Sequence, residues 1–335
     1  MIKFAKFLAY GVLALLVLAA CGAGAAWYWA TTPADIRMER VDYLVEPGSS
    51  PRQVAAIMNQ AGINIHPQAF VVMARLSGQD VLIQAGAYEA LRGDSPWRLL
   101  ERMASGDMMQ TRLTLVEGWT YERIRNALRE STDVKQTLGE VSDEALMERL
   151  GAPGVAPEGQ FYPDTYVFTP GTSDFDILRR AYTAQQSQLN KLWAHRDPDL
   201  PLASPYEALI LASIVEKETG HSQDRGRVAG VFINRLRLGM PLQTDPTVIY
   251  GMGKGYQGRI RKKDLQTDTP WNTYTRQGLP PTPISSSGKA ALLAVLHPEE
   301  HKYLYFVSRG DGTSEFSENL AAHNRAVAKY ILGRR

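Results

Sequence analysis

One cysteine, Cys21, stands in 335 residues, so no disulfide can form within the chain in any compartment. Charge of one sign is also missing: 37 lysines and arginines against 35 acids leave +2, which makes no footprint for nucleic acid. No aromatic-plus-basic motif supplies one either, and the short basic run Arg259–Lys263 reads as a solvated loop or a contact for anionic lipid or peptide. Metal-binding spacing is absent as well. His297-Pro298-Glu299-Glu300-His301 has the letters of a zinc helix, but Pro298 breaks the continuous helix that such a site needs. Ser286-Ser287-Gly288-Lys289 spells the serine acyl-enzyme motif without the S-D-N and K-T-G partners that complete it. Neither a metal nor a cofactor is expected.

What is present begins with Leu8–Ala30, 23 residues without a charge and long enough to span a bilayer. Lys3 and Lys6 precede it, while Asp35, Arg37, Glu39 and Arg40 follow, so the positive-inside rule leaves residues 1–7 in the cytoplasm and the body outside. Trp27 and Tyr28 suit the outer interface. Cleavable signal peptides have shorter apolar cores, which favours an uncleaved anchor. Leu18-Ala19-Ala20-Cys21 has the look of a lipobox, yet the chain stays apolar for nine residues beyond it, where a lipoprotein would open a polar linker.

After a linker at 31–40, residues 41–112 read as a small α+β module. Tyr43–Gly48 is a strand entering a turn, followed by a helix at Pro51–Ala61. The pattern returns at Leu113–Gly118 with Thr120–Glu130, and more weakly at Gly86–Glu89 with Ser95–Met103. Strand, glycine turn and Ser/Thr-started helix in repetition resemble LysM-like modules, which bind glycans containing N-acetylglucosamine. Small α+β units that merely stack on one another would write the same pattern.

The larger region, 113–335, is organised around Ser204–Gly220. Ser204 as N-cap, Pro205 at the first helical position and Glu207 closing a capping box start a helix, and Gly220 offers a left-handed stop. At about 100° per residue, Ala208, Leu211, Ala212 and Val215 share a side flanked by Leu209 and Ile214, so the helix is mostly buried. Glu218 falls on the stripe of Leu211 and Ile214, while Glu216 points toward Leu209 and Ala212. A carboxylate there is disfavoured as an anion by desolvation and by the negative helix end, as a general acid requires. A solvated helix end would carry the same letters, and periodicity alone does not choose. A buried Asn234-Arg235 on the next helix, Arg225–Leu238, would need partners, with the acids of this helix end as candidates. The aromatic run 158–168 could line a sugar site or fill the core.

Several runs occur in one order: L-A-S-I-V-E-K-E-T-G (211–220), V-F-I-N-R-L (231–236), L-Q-T-D-P-T-V-I-Y-G (242–251), N-T-Y (272–274), G-L-P-P (278–281), H-P (297–298), Y-L-Y-F-V (303–307) and H-N (323–324). With E-G-x-x-Y-P-D-T-Y at 158–166 they resemble the MltG/YceG-type endolytic murein transglycosylases over nearly the whole chain. Two segments depart from that family. Ser314 stands where it usually has a histidine before Phe316, and Ser286-Ser287-Gly288 replaces an Asn/Thr-Pro-Gly.

The resemblance implies a single-pass protein of the bacterial inner membrane with its body in the periplasm. Its fold would be α+β: one transmembrane helix, a LysM-like module and a catalytic domain with a lysozyme-related helical core. It would cut nascent, uncrosslinked peptidoglycan glycan strands between N-acetylmuramic acid and N-acetylglucosamine without water, leaving 1,6-anhydro ends that terminate elongation. Peptidoglycan synthases would be its partners. Glu218 would be the catalytic acid, with Asp245 the best second acid. Gln243, Asn272, Tyr274 and, in the 158–166 motif, Tyr162 would be substrate contacts. Asp245-Pro246-Thr247 is equally a turn or helix-capping sequence, and Glu216 is expected to pair with an arginine. Two rival readings stand beside this one: a muramidase-type hydrolase on the same fold, and a non-catalytic tethered protein that binds glycan or regulates a synthase.

Overall fold

The computed structural model describes residues 2–333. Met1 of the expected cytoplasmic tail and the side chains of Lys3 and Lys6 lie outside the described residues. The chain divides into two compact units of mixed α+β structure. One runs to Thr111 and takes back Val167–Thr172; the other holds Arg112–Tyr166 and continues from Ser173.

The first unit opens with α1 (Ile2–Thr31), of which Tyr10–Thr31 is long and apolar enough to cross a membrane. There follow β1 (Asp35–Ile36), β2 (Arg40–Val45), α2 (Pro51–Ala61), β3 (Ile63–Asn64), α3 (Pro67–Leu76), β4 (Gly86–Leu91) and α4 (Pro96–Ser105). The start of α2 shows how the sequence sets these bounds. Ser50 accepts from the Gln53 N–H, Gln53 reaches back to the Ser50 N–H, and Pro51 fills the first helical position. Gly62 then stops the helix at φ 96°. β2 alternates exposed and buried residues, so Val41, Tyr43 and Val45 enter a core with Val54, Met58, Phe70 and Leu99. β2 and β4 pair antiparallel with Tyr43 opposite Tyr88, their rings stacked 5.9 Å apart.

The three sequence copies therefore do not fold as three units. Strands from the first two pair with each other inside one β2–α2–α3–β4 body, because a two-stranded ribbon needs a shared apolar face and helix cover to be stable. The third copy belongs to the other unit.

That unit contains α5 (Tyr121–Glu130), α6 (Asp143–Arg149), α7 (Asp174–Trp193), α8 (Pro205–Glu218), α9 (Ser222–Arg237), α10 (Asp245–Met252), α11 (Lys262–Gln266), α12 (Lys289–Leu296), the antiparallel hairpin β7 (Tyr305–Ser308) and β8 (Ser314–Ser317), and α13 (Leu320–Tyr330). Two further strands, β5 (Thr111–Thr114) and β6 (Thr165–Phe168), lie where the chain passes between the units; within the larger one, the Thr114 and Thr165 hydroxyls hydrogen-bond at 2.9 Å. Every residue of α8 from Ala208 to Val215 is buried, in a core with Val228, Phe232, Leu292 and Val295 from α9 and α12. A helix apolar on all sides must be enclosed, and here α7, α9, α10 and α12 pack around it.

Its ends differ from the sequence expectation in two details. Ser204 does accept from the Glu207 N–H at 3.3 Å, but the Glu207 carboxylate accepts from the Ala203 N–H at 2.6 Å instead of closing the box on Ser204. The stop is Thr219, extended at φ −145°, and Gly220 has no positive φ. Thr219 still donates its N–H to the Val215 carbonyl, and its hydroxyl accepts from the His221 N–H at 3.0 Å, so the chain leaves the helix without a left-handed residue.

Inside the core, the Ser213 hydroxyl donates to the Ile210 carbonyl at 2.7 Å and accepts from the Ile284 N–H at 3.0 Å, tying α8 to the 284–285 segment. Ser213→Ala would strand a buried N–H, a loss of about 1–3 kcal/mol. Urea denaturation of the two proteins in the same detergent, followed by circular dichroism, checks the figure.

Candidate active site

Glu218, the last residue of α8, opens on a cavity of about 360 Å³. Chain-distant side chains complete the wall: Arg235 from α9, Gln243 and Asp245 at the start of α10, Tyr274, Tyr305 of β7 and His323 of α13. Of the helices that cover α8, α9 and α10 bring residues to this wall, and α9 in turn packs on β7, which carries α13 with it.

Burial pushes the Glu218 carboxyl up to about 7, with Asp245 adding in the same direction, while the Thr244 hydroxyl and the Arg235 charge oppose it. The Thr244 hydroxyl donates directly to Glu218 Oε1. An acid poised near neutrality beside an open volume can both give and take a proton.

Arg235 is buried and makes no ion pair with the acids expected for it. Its guanidinium donates to the carbonyls of Leu304 at 2.7 Å, Leu242 at 2.9 Å and Pro241 at 3.2 Å, and lies over the Tyr305 ring at 5.0 Å. Asn234 likewise donates to the His301 and Tyr303 carbonyls at 2.8 and 3.2 Å. Loop carbonyls with no ladder partner need donors, and these two side chains supply them. Tyr305 also stacks on His323 at 5.2 Å, and burial and the Arg235 charge hold that imidazole below its usual value.

The sequence-derived residues separate into two groups. Gln243, Asp245 and Tyr274 line the cavity with Glu218. Gln243 is non-glycine at φ 50°, its N–H bound to the Thr273 carbonyl at 3.1 Å; such a backbone is costly and concentrates at functional places. Asp245 is the first residue of α10, Thr244 being the N-cap, and its carboxylate accepts from the Tyr274 hydroxyl at 2.6 Å.

Asn272 is different. It is fully buried, donates to the Leu265 and Thr267 carbonyls at 3.1 and 2.7 Å and accepts from the Tyr274 N–H at 2.9 Å. It corrects the expectation of a sugar contact: the amide is consumed in stapling the loop that carries Tyr274. Tyr162 does not line this cavity either; its backbone ties to Ala181, while neighbouring Phe161 stacks on Tyr121 in the core. Glu158 of the same run is buried, accepts from the Tyr121 N–H at 3.0 Å and the Tyr250 hydroxyl at 3.2 Å, and is pushed up to about 7 by burial. Glu216 accepts from the Gly288 N–H at 3.0 Å, a backbone partner where an arginine was expected.

The sequence does not single out Thr244, Tyr305 or His323 as groups at Glu218, and it marks Arg235 only as a group in need of partners. All four sit inside runs already conspicuous in the sequence, but nothing local to those runs aims them at Glu218.

The model of the YceG-like family matches residues 43–329. The chain belongs to the YceG-like family. This YceG-like chain is 32% identical over 309 residues to the endolytic murein transglycosylase of Bacillus subtilis strain 168, covering 87% of the chain and 85% of that protein. Against the endolytic murein transglycosylase of Streptococcus pneumoniae D39 it is 27% identical over 321 residues, and the match covers 86% of the chain and 58% of the longer relative. A crystal structure of a YceG-like protein from Listeria monocytogenes superposes with a TM-score of 0.54 at 27% identity, over 86% of this chain and 98% of that one.

Because Glu218 binds its proton more tightly folded than at its ordinary 4.5, its contribution to stability is complete below 4.5 and is lost as pH rises through about 7. Glu218→Gln removes that loss. The variant should melt above wild type at pH 8, with the gap closing toward pH 5, as differential scanning fluorimetry across the two buffers would register.

Proposed function

We infer that this chain is an endolytic murein transglycosylase, and that Glu218 is its acid and base. The observation that carries this reading is a single carboxyl, near-neutral in pKa, at the end of a buried helix and facing a cavity large enough for a sugar. Neutral Glu218 protonates the glycosidic oxygen as the bond from the muramyl C1 breaks. The muramyl C6 hydroxyl then closes onto C1, and the same carboxylate takes the hydroxyl proton. A 1,6-anhydro end forms with no water consumed, because the intramolecular hydroxyl has the effective concentration that an activated water would otherwise need.

Asp245, held on Tyr274, faces the positive charge that develops at C1, and Gln243 and Tyr274 orient the sugar. Arg235 and Thr244 position the acid: Thr244 fixes its rotamer, and the guanidinium keeps the pKa from climbing beyond use. A hydrolase could employ Asp245 to activate water, so the identity of the product decides between the two chemistries.

In the wider setting, α1 anchors the protein in the bacterial inner membrane with both units in the periplasm, where nascent strands leave the peptidoglycan synthases. The β2–α2–α3–β4 body, with the LysM-like character of its sequence, holds the glycan. The helices around α8 form the lysozyme-related core.

Uncrosslinked glycan strands incubated with wild type should yield 1,6-anhydro-muramyl ends by mass spectrometry, and Glu218→Gln should lose about 10²–10⁴ of the rate. Reducing ends in their place would indicate a hydrolase, and a cellular phenotype indifferent to Glu218→Gln would indicate a scaffold. The rate should fall above about pH 7 as the acid ionises. The Thr244 hydrogen bond favours the anion, so Thr244→Val should carry that falling limb to higher pH.

A further inference from the structure

The first unit carries an apolar hollow of about 580 Å³ that the glycan chemistry leaves unused. Trp27 and Trp29 of α1, Val72, Met73 and Leu76 of α3, and Trp97 of α4 are among its walls, and among the described residues no ionisable side chain contributes. The face around it is exposed to a degree unusual for a water-facing surface. Leu76 is 84% exposed, Val72 54% and Trp27 69%, and just past α3 the loop residues Val81 and Leu82 add 83% and 54%.

The position of this face along α1 identifies what covers it. Tyr10–Thr31 rises about 33 Å, close to the roughly 30 Å of a hydrocarbon core. The hollow reaches down to Ala23, about 12 Å before the end of that span. α3 therefore flanks the last two turns of the membrane-crossing stretch itself. It is fixed there, since α4 packs on α1 and the Ala34 N–H bonds the Asp94 carbonyl at 2.9 Å. Tryptophan at this level is the residue of the membrane interface.

We propose that α3 and the 81–82 loop are a second membrane contact: their exposed apolar face enters the outer leaflet beside α1, and phospholipid acyl chains fill the hollow. This rests on the anchoring part of the proposed function and goes beyond it, because a helix tether alone requires no part of the module to enter the lipid. Insertion of one apolar helix face by about 5–10 Å would hold the module flat on the bilayer.

The test uses the full chain in vesicles of phosphatidylethanolamine and phosphatidylglycerol, on a Cys21→Ser background, with one bimane-labelled cysteine at a time. Leu76→Cys reports the proposed contact, Leu15→Cys the span, and Arg52→Cys on α2 the water-facing side. Lipids spin-labelled near the top of the acyl chain should quench Leu76→Cys several-fold more than Arg52→Cys, and lipids labelled deep in the chain should quench Leu15→Cys. Leu76→Cys as unquenched as Arg52→Cys while Leu15→Cys responds overturns the second contact and leaves the anchor standing. Silence at both Leu15→Cys and Leu76→Cys overturns the two together.

Discussion

A carboxyl taken out of water at the negative end of a helix is the constraint around which the larger unit is arranged. Burying α8 on every side is favourable while its residues are alanine, leucine, isoleucine and valine, and its one serine, Ser213, is satisfied by the backbone of Ile210 and Ile284. The cost arrives at Glu218, where the helix dipole and desolvation both oppose the anion. Thr244 and Arg235 relieve part of that opposition, and Asp245 restores some of it. The balance leaves a group whose pKa lies near 7, so that both protonation states are accessible, which is the property a single acid–base residue needs.

The surroundings of Glu218 owe their rigidity to backbone groups more than to ion pairs. Arg235 and Asn234 spend their donors on carbonyls of the 241–242 and 301–304 segments, so α9 holds the α10 loop and the β7 strand in register at once. Asn272 does the same for the Tyr274 loop. A buried guanidinium used this way still carries its charge, and so contributes to the acid's electrostatics without touching it. Stability and function diverge at this point, since the ionised Glu218 that burial penalises is the conjugate of the proton donor.

The smaller unit solves a different problem. Its core of Tyr43, Val54, Phe70, Tyr88 and Leu99 is sealed by two antiparallel pairs, β2–β4 and β1–β3, and three helices, yet one side of α3 remains apolar and uncovered. The same helix that would tether the protein lies along that side. Anchor and module then present one continuous apolar surface, so that membrane attachment orients the module as well as retaining it.

How much of this was legible beforehand follows from the range of each interaction. The membrane-length helix, the caps at Ser50, Ser95, Thr120 and Ser204, the buried stripe of α8 and the candidacy of Glu218 are encoded within a few residues of where they act. Order and spacing of the 211–324 runs then pointed to the family. Local sequence could not tell whether Asn272 faces a sugar or a loop carbonyl, whether Arg235 pairs with an acid or with backbone, or that Thr219 would end α8 before Gly220. Nor could it bring Tyr305 and His323 to Glu218 across about a hundred residues. Those outcomes depend on which unpaired carbonyls and which water-excluded volumes the packed helices leave, and such quantities exist only once the chain has closed around α8.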